Sequence, residues 1–316
     1  MGPVNGASTM RAGLKRGGIF GIIGNTDHHS AFPGSYGHGR MAVYAGADDR
    51  DAIFAAMRAR RTNALTGDNI HLLTAIGDTV QGGITTPSDK ATLDIEAIGG
   101  GFIDVIDVFR NGALFARISP ELEPAPVDPG DGATTETILY VELGWGARGK
   151  SHDWAGTLNL EGGEFLSVEP RFRGAEIVSP LEGEDEAAVL PTLDLTGGRV
   201  TFSVTAAANP NNVTPATQGF AIRLKAQPGA RLKAEISGKQ LDIAIEDLFE
   251  GAVSGNLGPI DSPAYRFHAL PRPHQWQWQG SVALGALEAG ENIYVRLREK
   301  TGQMAWTSPI FCRKEA

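Results

Sequence analysis

From Ile70 onward apolar residues recur at every second position in stretch after stretch, and that period commits this part of the chain to extended strands. ATLDIEAI (91–98), FIDVIDVF (102–109), RVTFSVTA (199–206), FAIRLKA (220–226) and NIYVRLRE (292–299) all alternate in this way. Arg110-Asn111-Gly112 falls between FIDVIDVF and ALFARI. Asn-Gly is a strong hairpin signal, because a type I′ turn needs positive φ at both central residues. Glu161-Gly162-Gly163, Ser237-Gly238-Lys239 and Lys300-Thr301-Gly302 read as further hairpin turns. The 41 glycines and 18 prolines agree with many short strands, and roughly a dozen strands at this spacing predict a sandwich or barrel.

The first 68 residues carry a different pattern. Thr9 to Arg16 can end a short helix, IFGIIG (Ile19 to Gly24) reads as a buried strand, and MAVYAG (Met41 to Gly46) reads as another. DRDAIFAAMRARR (Asp49 to Arg61) is the best helix: an aspartate opens it, Ile53, Phe54 and Met57 share a face, and arginines close it. The expected fold class is therefore α+β, with an α/β part over 1–68 and an all-β, sandwich-like region over 69–316. The Pro- and Asp-rich stretch Glu121 to Gly132 suggests a break into two subdomains near 121–134, and the acidic run Glu182 to Glu186 reads as a solvated loop.

A net charge of -9 argues against a nucleic-acid partner or an acidic membrane surface, since affinity for phosphate backbones comes from clustered Lys and Arg. A small-molecule partner stays open. The single cysteine, Cys312, reads as a small buried hydrophobe of the last strand. No run of about 18 apolar residues could span a membrane as a helix.

Chemistry concentrates in the loop after IFGIIG, where three of the seven histidines fall between positions 28 and 38. Asp27 and His29 lie two apart, so on an extended backbone their side chains share one side while His28 points away. A carboxylate and an imidazole presented together suit a divalent cation such as zinc, manganese or iron. The bland alternative is that Asp27 caps a turn and the histidines are exposed. His38 and Arg40 are candidates for the same site, as a ligand or substrate contact and as an anion contact, and a glycine-rich surface loop explains them equally.

GIIGNTDHHSAFPGSYGHGR, followed by AIFAAMRARRTNALTGDNI, resembles the polymerase and histidinol phosphatase (PHP) superfamily, and within it a bacterial group of unknown function in which a PHP-like barrel precedes a β domain. The resemblance continues through YVELGWG, HDWAGTLNLEGGEFLSVEPRFRG and YVRLREKTGQMAWTSPIF. It implies a distorted (β/α) barrel whose final metal-binding motif is Asp-x-His, matched here by Asp27 and His29. It also implies that bound metal lowers the pKa of water for attack on a phosphoester. His28 and Asn63 stand where the narrower group commonly has a different polar residue and an aromatic. The larger departure is that no His-x-His motif occurs anywhere in the sequence.

A catalytic metal normally takes about three protein ligands plus water. The expectation is therefore the C-terminal piece of a PHP-like barrel, incomplete as a catalyst alone, from a metal-dependent phosphoesterase-type hydrolase. The alternative is a non-catalytic β-sandwich binding or structural module with a vestigial barrel remnant. Elsewhere, Trp154, Trp276 and Trp278 read as packing residues before ligand platforms, and His268 and His274 read as surface residues.

Overall fold

The computed structural model describes residues 6–26, 35–122, 134–144, 150–173, 190–206, 217–259 and 261–314. Residues 27–34, with Asp27, His28 and His29, lie outside them, as do most of the 121–134 break and the acidic run 182–186.

In chain order the elements begin with α1 (Met10–Lys15), β1 (Arg40–Val43), α2 (Arg50–Arg58), β2 (Thr62–Leu65), β3 (His71–Ile76), β4 (Thr79–Val80) and β5 (Ile84–Thr85). Then come β6 (Ser88–Ile98), β7 (Ile103–Arg110), β8 (Ala113–Ile118), β9 (Thr135–Leu143), β10 (His152–Pro170), β11 (Thr192–Thr196), β12 (Arg199–Ala206) and β13 (Gln218–Ile236). The chain continues through β14 (Lys239–Ala244), α3 (Ile245–Glu250), β15 (Val253–Asn256), β16 (Ala264–Phe267) and α4 (Pro273–Trp276). It ends with β17 (Gln277–Leu287), β18 (Asn292–Glu299), β19 (Met304–Thr307) and β20 (Ile310–Cys312). No described helix is long and apolar enough to cross a membrane.

The fold is mostly β, 55% strand against 12% helix, and the expected α+β class with a (β/α) barrel piece is incorrect. No barrel closes among the described residues. In a (β/α) barrel, α2 would carry the chain between parallel neighbours. Instead β1 and β2 pair antiparallel, Arg40 opposite Leu65 and Val43 opposite Thr62, with α2 as the connection. β2 then pairs with β19 from the far end of the chain. IFGIIG forms no strand, and Ile19 and Ile23 are 42% and 55% exposed.

The chain divides into two compact units, one of residues 1–26, 38–124 and 275–316, the other of 27–37 and 125–274. In the first, an eight-stranded sheet (β1, β2, β19, β18, β20 and β5 in order, with β7 and β8 joined through β18) accompanies a four-stranded sheet ordered β17-β6-β3-β4. Their inward residues form one core, including Leu72, Leu93, Ile95, Ile106, Val295 and Leu297. That is a β-sandwich built from alternating strands. Cys312 is buried in its last strand.

The strand edge of β3 beyond β4 is satisfied by side chains. The Leu72 carbonyl accepts from Asn63 Nδ2 (2.7 Å), Tyr44 Oη (3.1 Å) and Gln81 Nε2 (3.2 Å), and the Leu72 N–H donates to Tyr44 Oη. Gln81 Nε2 donates to Asn63 Oδ1 (2.8 Å), while Gln81 Oε1 accepts from the Thr74 N–H (2.6 Å). Asn63 is thus a fully buried hub. Burial raises the Tyr44 hydroxyl pKa above its ordinary value, against the lowering effect of its bond to Leu72.

The second unit is one sheet ordered β11-β12-β10-β13-β9-β16-β15, with β14 also on β13. β10 and β13 are long strands shared by both halves: early β10 pairs with β12, early β13 with β9, and late β13 with β14. Glu161-Gly162-Gly163 is not a hairpin turn. It lies inside β10, where a register shift and a φ of 75° at Gly162 mark a bulge. A Cβ on Gly163 would stand 2.4 Å from the Lys225 carbonyl oxygen, so the close strand crossing requires glycine. Both halves of the sheet contribute to one core containing Trp154, Phe202, Phe220 and Phe267.

Candidate functional site

In the first unit the chain just before residue 27 and the chain from His38 onward run in close contact. A Cβ on Gly39 would lie 2.3 Å from the Asn25 carbonyl oxygen, and one on Gly24 2.6 Å from that of Arg40. The backbones therefore touch at both levels, and only glycine permits it. The extended segment before Asn25 is fastened at Ile22, whose N–H donates to Ser308 Oγ (2.9 Å) and whose carbonyl accepts from Thr62 Oγ1 (2.8 Å). Thr62 and Ser308 hydroxyls also bond each other at 3.0 Å.

His38 and Arg40 follow Gly37, both half-buried, with His38 in the bend before β1 and Arg40 opening β1. Asp27 and His29 lie outside the described residues. Among the described residues no group of three His, Cys, Asp or Glu side chains is placed to hold a metal ion. The described donors alone do not make a cation site.

After residue 34, Ser35 and Tyr36 are buried in the second unit. The Tyr36 N–H donates to the Phe172 carbonyl (2.8 Å). Its ring faces two guanidiniums, that of Arg173 at 4.8 Å and that of Arg171 at 5.8 Å from the ring centre. The sequence Arg-Phe-Arg produces this directly: on an extended chain Arg171 and Arg173 share a side while Phe172 turns into the core. Arg171 is fully buried, lies 5.0 Å over the Tyr140 ring and approaches Glu169 at 3.5 Å. Arg173 donates from Nη1 to the Thr217 carbonyl (2.5 Å) and Oγ1 (3.1 Å), and its main chain exchanges hydrogen bonds with the Gln218 amide.

On the same sheet His268 Nε2 bonds Glu142 Oε2 at 2.9 Å, and the His268 ring stacks on Tyr140 at 4.6 Å. Burial opposes the charge of Glu142, but hydrogen bonds from His268 and Thr217 and the charges of His268 and Arg266 outweigh it, holding the carboxyl below its ordinary range. His268 is therefore not the plain surface residue its proline-rich context predicts. A 126-residue separation between the partners hides the pair from any local reading.

In the first unit, a shallow groove of about 310 Å³ runs over the four-stranded sheet, lined by Leu73, Ala75 and Val80 with Asp94 and Glu96. Asp94 accepts from Ser281 Oγ (2.6 Å), and His71 lies 3.4 Å from Glu96. Trp154 and Trp276 are buried, and Trp278 packs against the first core.

Comparison of the chain with known protein families, characterised proteins and solved structures finds no match.

Proposed function

We propose that residues 27–34 present Asp27 and His29 as two ligands of a divalent cation, zinc, manganese or iron. On this reading the chain contributes them to a phosphoesterase-type hydrolase site that it does not complete alone. The observation that supports the reading is the close backbone approach of Asn25 and Gly39, which brings His38 and Arg40 beside the chain that leads to Asp27. His38, two residues before β1, is the described candidate for a third donor, and Arg40 for contact with an anionic small-molecule substrate. The resemblance of GIIGNTDHHSAFPGSYGHGR to the PHP superfamily supports the same assignment. Assay of the purified chain, reloaded with each metal, against a phosphomonoester and a phosphodiester tests it. Metal-dependent turnover abolished by Asp27→Ala is expected, or turnover appearing only when a complementing polypeptide is added. Turnover insensitive to Asp27→Ala contradicts the assignment.

A second reading, a non-catalytic β-sandwich binding or structural module, is favoured by the apolar groove over the four-stranded sheet and by the antiparallel pairing of that sheet. A well-folded, metal-free protein without phosphoesterase activity supports that reading instead.

A further inference from the structure

We infer that the first unit binds an extended basic peptide, which pairs antiparallel with the uncovered edge of β17 and lays two cationic side chains, two residues apart, across the sheet face onto Glu96 and Asp94. This deepens the binding-module reading of the groove and takes nothing from the metal assignment.

The four-stranded sheet has two edges, and the chain treats them differently. At one, β4 has only two residues, and beyond it Tyr44, Asn63 and Gln81 satisfy the main chain of β3. At the other, β17 runs for 11 residues and, among the described strands, pairs only with β6. The register tells which main-chain groups face outward. The Gly99 N–H donates to the Trp276 carbonyl (2.8 Å) and Gln277 stands opposite Ile98, so Trp278 and Gly280 take their turn bonding to β6. The N–H and C=O groups of Gln279 and Ser281 therefore point away from β6. Past the register shift between Ala283 and Gly285, Arg110 caps the edge, donating to the carbonyls of Leu284 (3.0 Å) and Ala286 (2.6 Å). No described side chain does the same at Gln279 or Ser281. Natural edge strands are blunted by charge, proline or bulges, and Gln277 to Ala283, QWQGSVA, carries neither charge nor proline. An open edge of this kind is what an added strand uses.

The face beside the edge supplies the chemistry. Gln279 stands opposite Glu96 and Glu96 opposite Leu73; Ser281 stands opposite Asp94 and Asp94 opposite Ala75. These two rows line the groove of about 310 Å³ on the outer face of the sheet. Residues two apart on an added strand share that face, two strand spacings or about 9.6 Å from β6. A long cationic side chain and a carboxylate reaching toward each other bridge that span, and the uncharged Gln279 and Ser281 between them repel neither. Asp94 accepts from Ser281 Oγ (2.6 Å) and Glu96 lies 3.4 Å from His71, but both carboxylates remain exposed. Charge also selects the occupant. A second copy of the chain would bring its own carboxylates and a net charge of -9 against the same charge, whereas a basic peptide is drawn in.

The test uses the full chain and a fluorescein-labelled, end-capped octapeptide alternating lysine with valine, read by anisotropy. Saturable binding of one peptide per chain is expected. It should weaken about tenfold or more when Asp94→Asn and Glu96→Gln are combined, the sum of two exposed ion pairs, and should fall with added salt. Methylation of the peptide main chain separates strand pairing from charge attraction without altering the protein. Methyl groups on the lysine nitrogens, whose N–H groups face β17 in an antiparallel pair, should abolish binding, and methyl groups on the valine nitrogens should leave it in place. Equal binding of the two methylated peptides, undiminished binding to the folded double variant, or no binding of the parent peptide overturns the inference. A chain that ignores the peptide and dimerises in light scattering assigns the edge to a second copy and overturns it as well. Phosphoesterase turnover of the native chain would remove the non-catalytic reading and leave the peptide result standing, so the two fail separately.

Discussion

Replacing Asn63 by leucine tests whether a buried polar hub, and not apolar packing alone, seals the edge of β3. Asn63 is fully buried and makes three hydrogen bonds: Nδ2 to Tyr44 Oη (3.0 Å), Nδ2 to the Leu72 carbonyl (2.7 Å), and Oδ1 from Gln81 Nε2 (2.8 Å). At about 1 kcal/mol net per bond the substitution removes ~3 kcal/mol. Leucine returns about 1 kcal/mol through apolar burial. The remaining groups are not wholly orphaned, because Gln81 Nε2 keeps the Leu72 carbonyl at 3.2 Å and Tyr44 keeps both Leu72 main-chain groups. The expected loss is therefore about 2 kcal/mol, and a domain of this size should melt roughly 4–8 °C lower. Urea unfolding followed by circular dichroism measures it. A double-mutant cycle with Gln81→Leu sharpens it, since the shared bond is lost only once and the two losses should fall short of additivity by about 1 kcal/mol. A native-like Asn63→Leu, or strictly additive losses, refutes the network as a stabilising unit.

Three further outcomes follow from other parts of the structure. Asp107 is buried between Arg117 (2.6 Å) and Arg296 (2.6 Å); burial raises its pKa, but the two arginines outweigh that and hold it below the ordinary value. A depressed carboxyl stabilises the fold above its unfolded pKa of about 3.9, and the gain disappears as pH falls through the lower folded value. Asp107→Asn should thus cost about 2 kcal/mol at neutral pH, discounted from a fully buried pair because both arginines are partly exposed, and should flatten the acid limb of the stability profile below about pH 4. Gly39→Ala should destabilise the first unit by about 1–3 kcal/mol, since its Cβ would meet the Asn25 carbonyl at 2.3 Å; thermal melts check it, and a neutral effect would contradict the close approach. His268→Ala should move the Glu142 carboxyl back up toward its ordinary range, because the histidine supplies a hydrogen bond and charge that lower it, and carboxyl NMR titration reads the change.

Much of the β architecture was legible because its signals are local. Asn111 and Gly112 adopt φ of 53° and 76°, and Ser237 and Gly238 47° and 84°, as hairpin turns at these pairs require. Asp49 caps α2 by accepting from the Ala52 N–H. The strands foreseen from alternation are present as β6, β7, β12, β13 and β18.

What failed depends on contacts far apart in sequence. A strand–helix–strand pattern names elements but not the direction in which they pair, so β1, α2 and β2 read as a piece of a (β/α) barrel while they form an antiparallel edge completed by β19. Gly162 and Gly163 carry the composition of a turn, yet the continuing partner β13 makes them a bulge. IFGIIG looks buried by composition alone, yet Ile19 and Ile23 are exposed. The Arg-Phe-Arg triplet did carry a usable signal, since two arginines flanking a core aromatic on a strand face one way. Only the fold shows that Tyr36 meets them.

The most direct measurement of the central claim is the metal content of the purified chain beside Asp27→Ala and His29→Ala. The account predicts zinc, manganese or iron bound at a fixed ratio to the native chain and lost from both variants while the fold is retained. A native chain that is folded and free of metal after incubation with each cation, or variants that keep the metal, would contradict it.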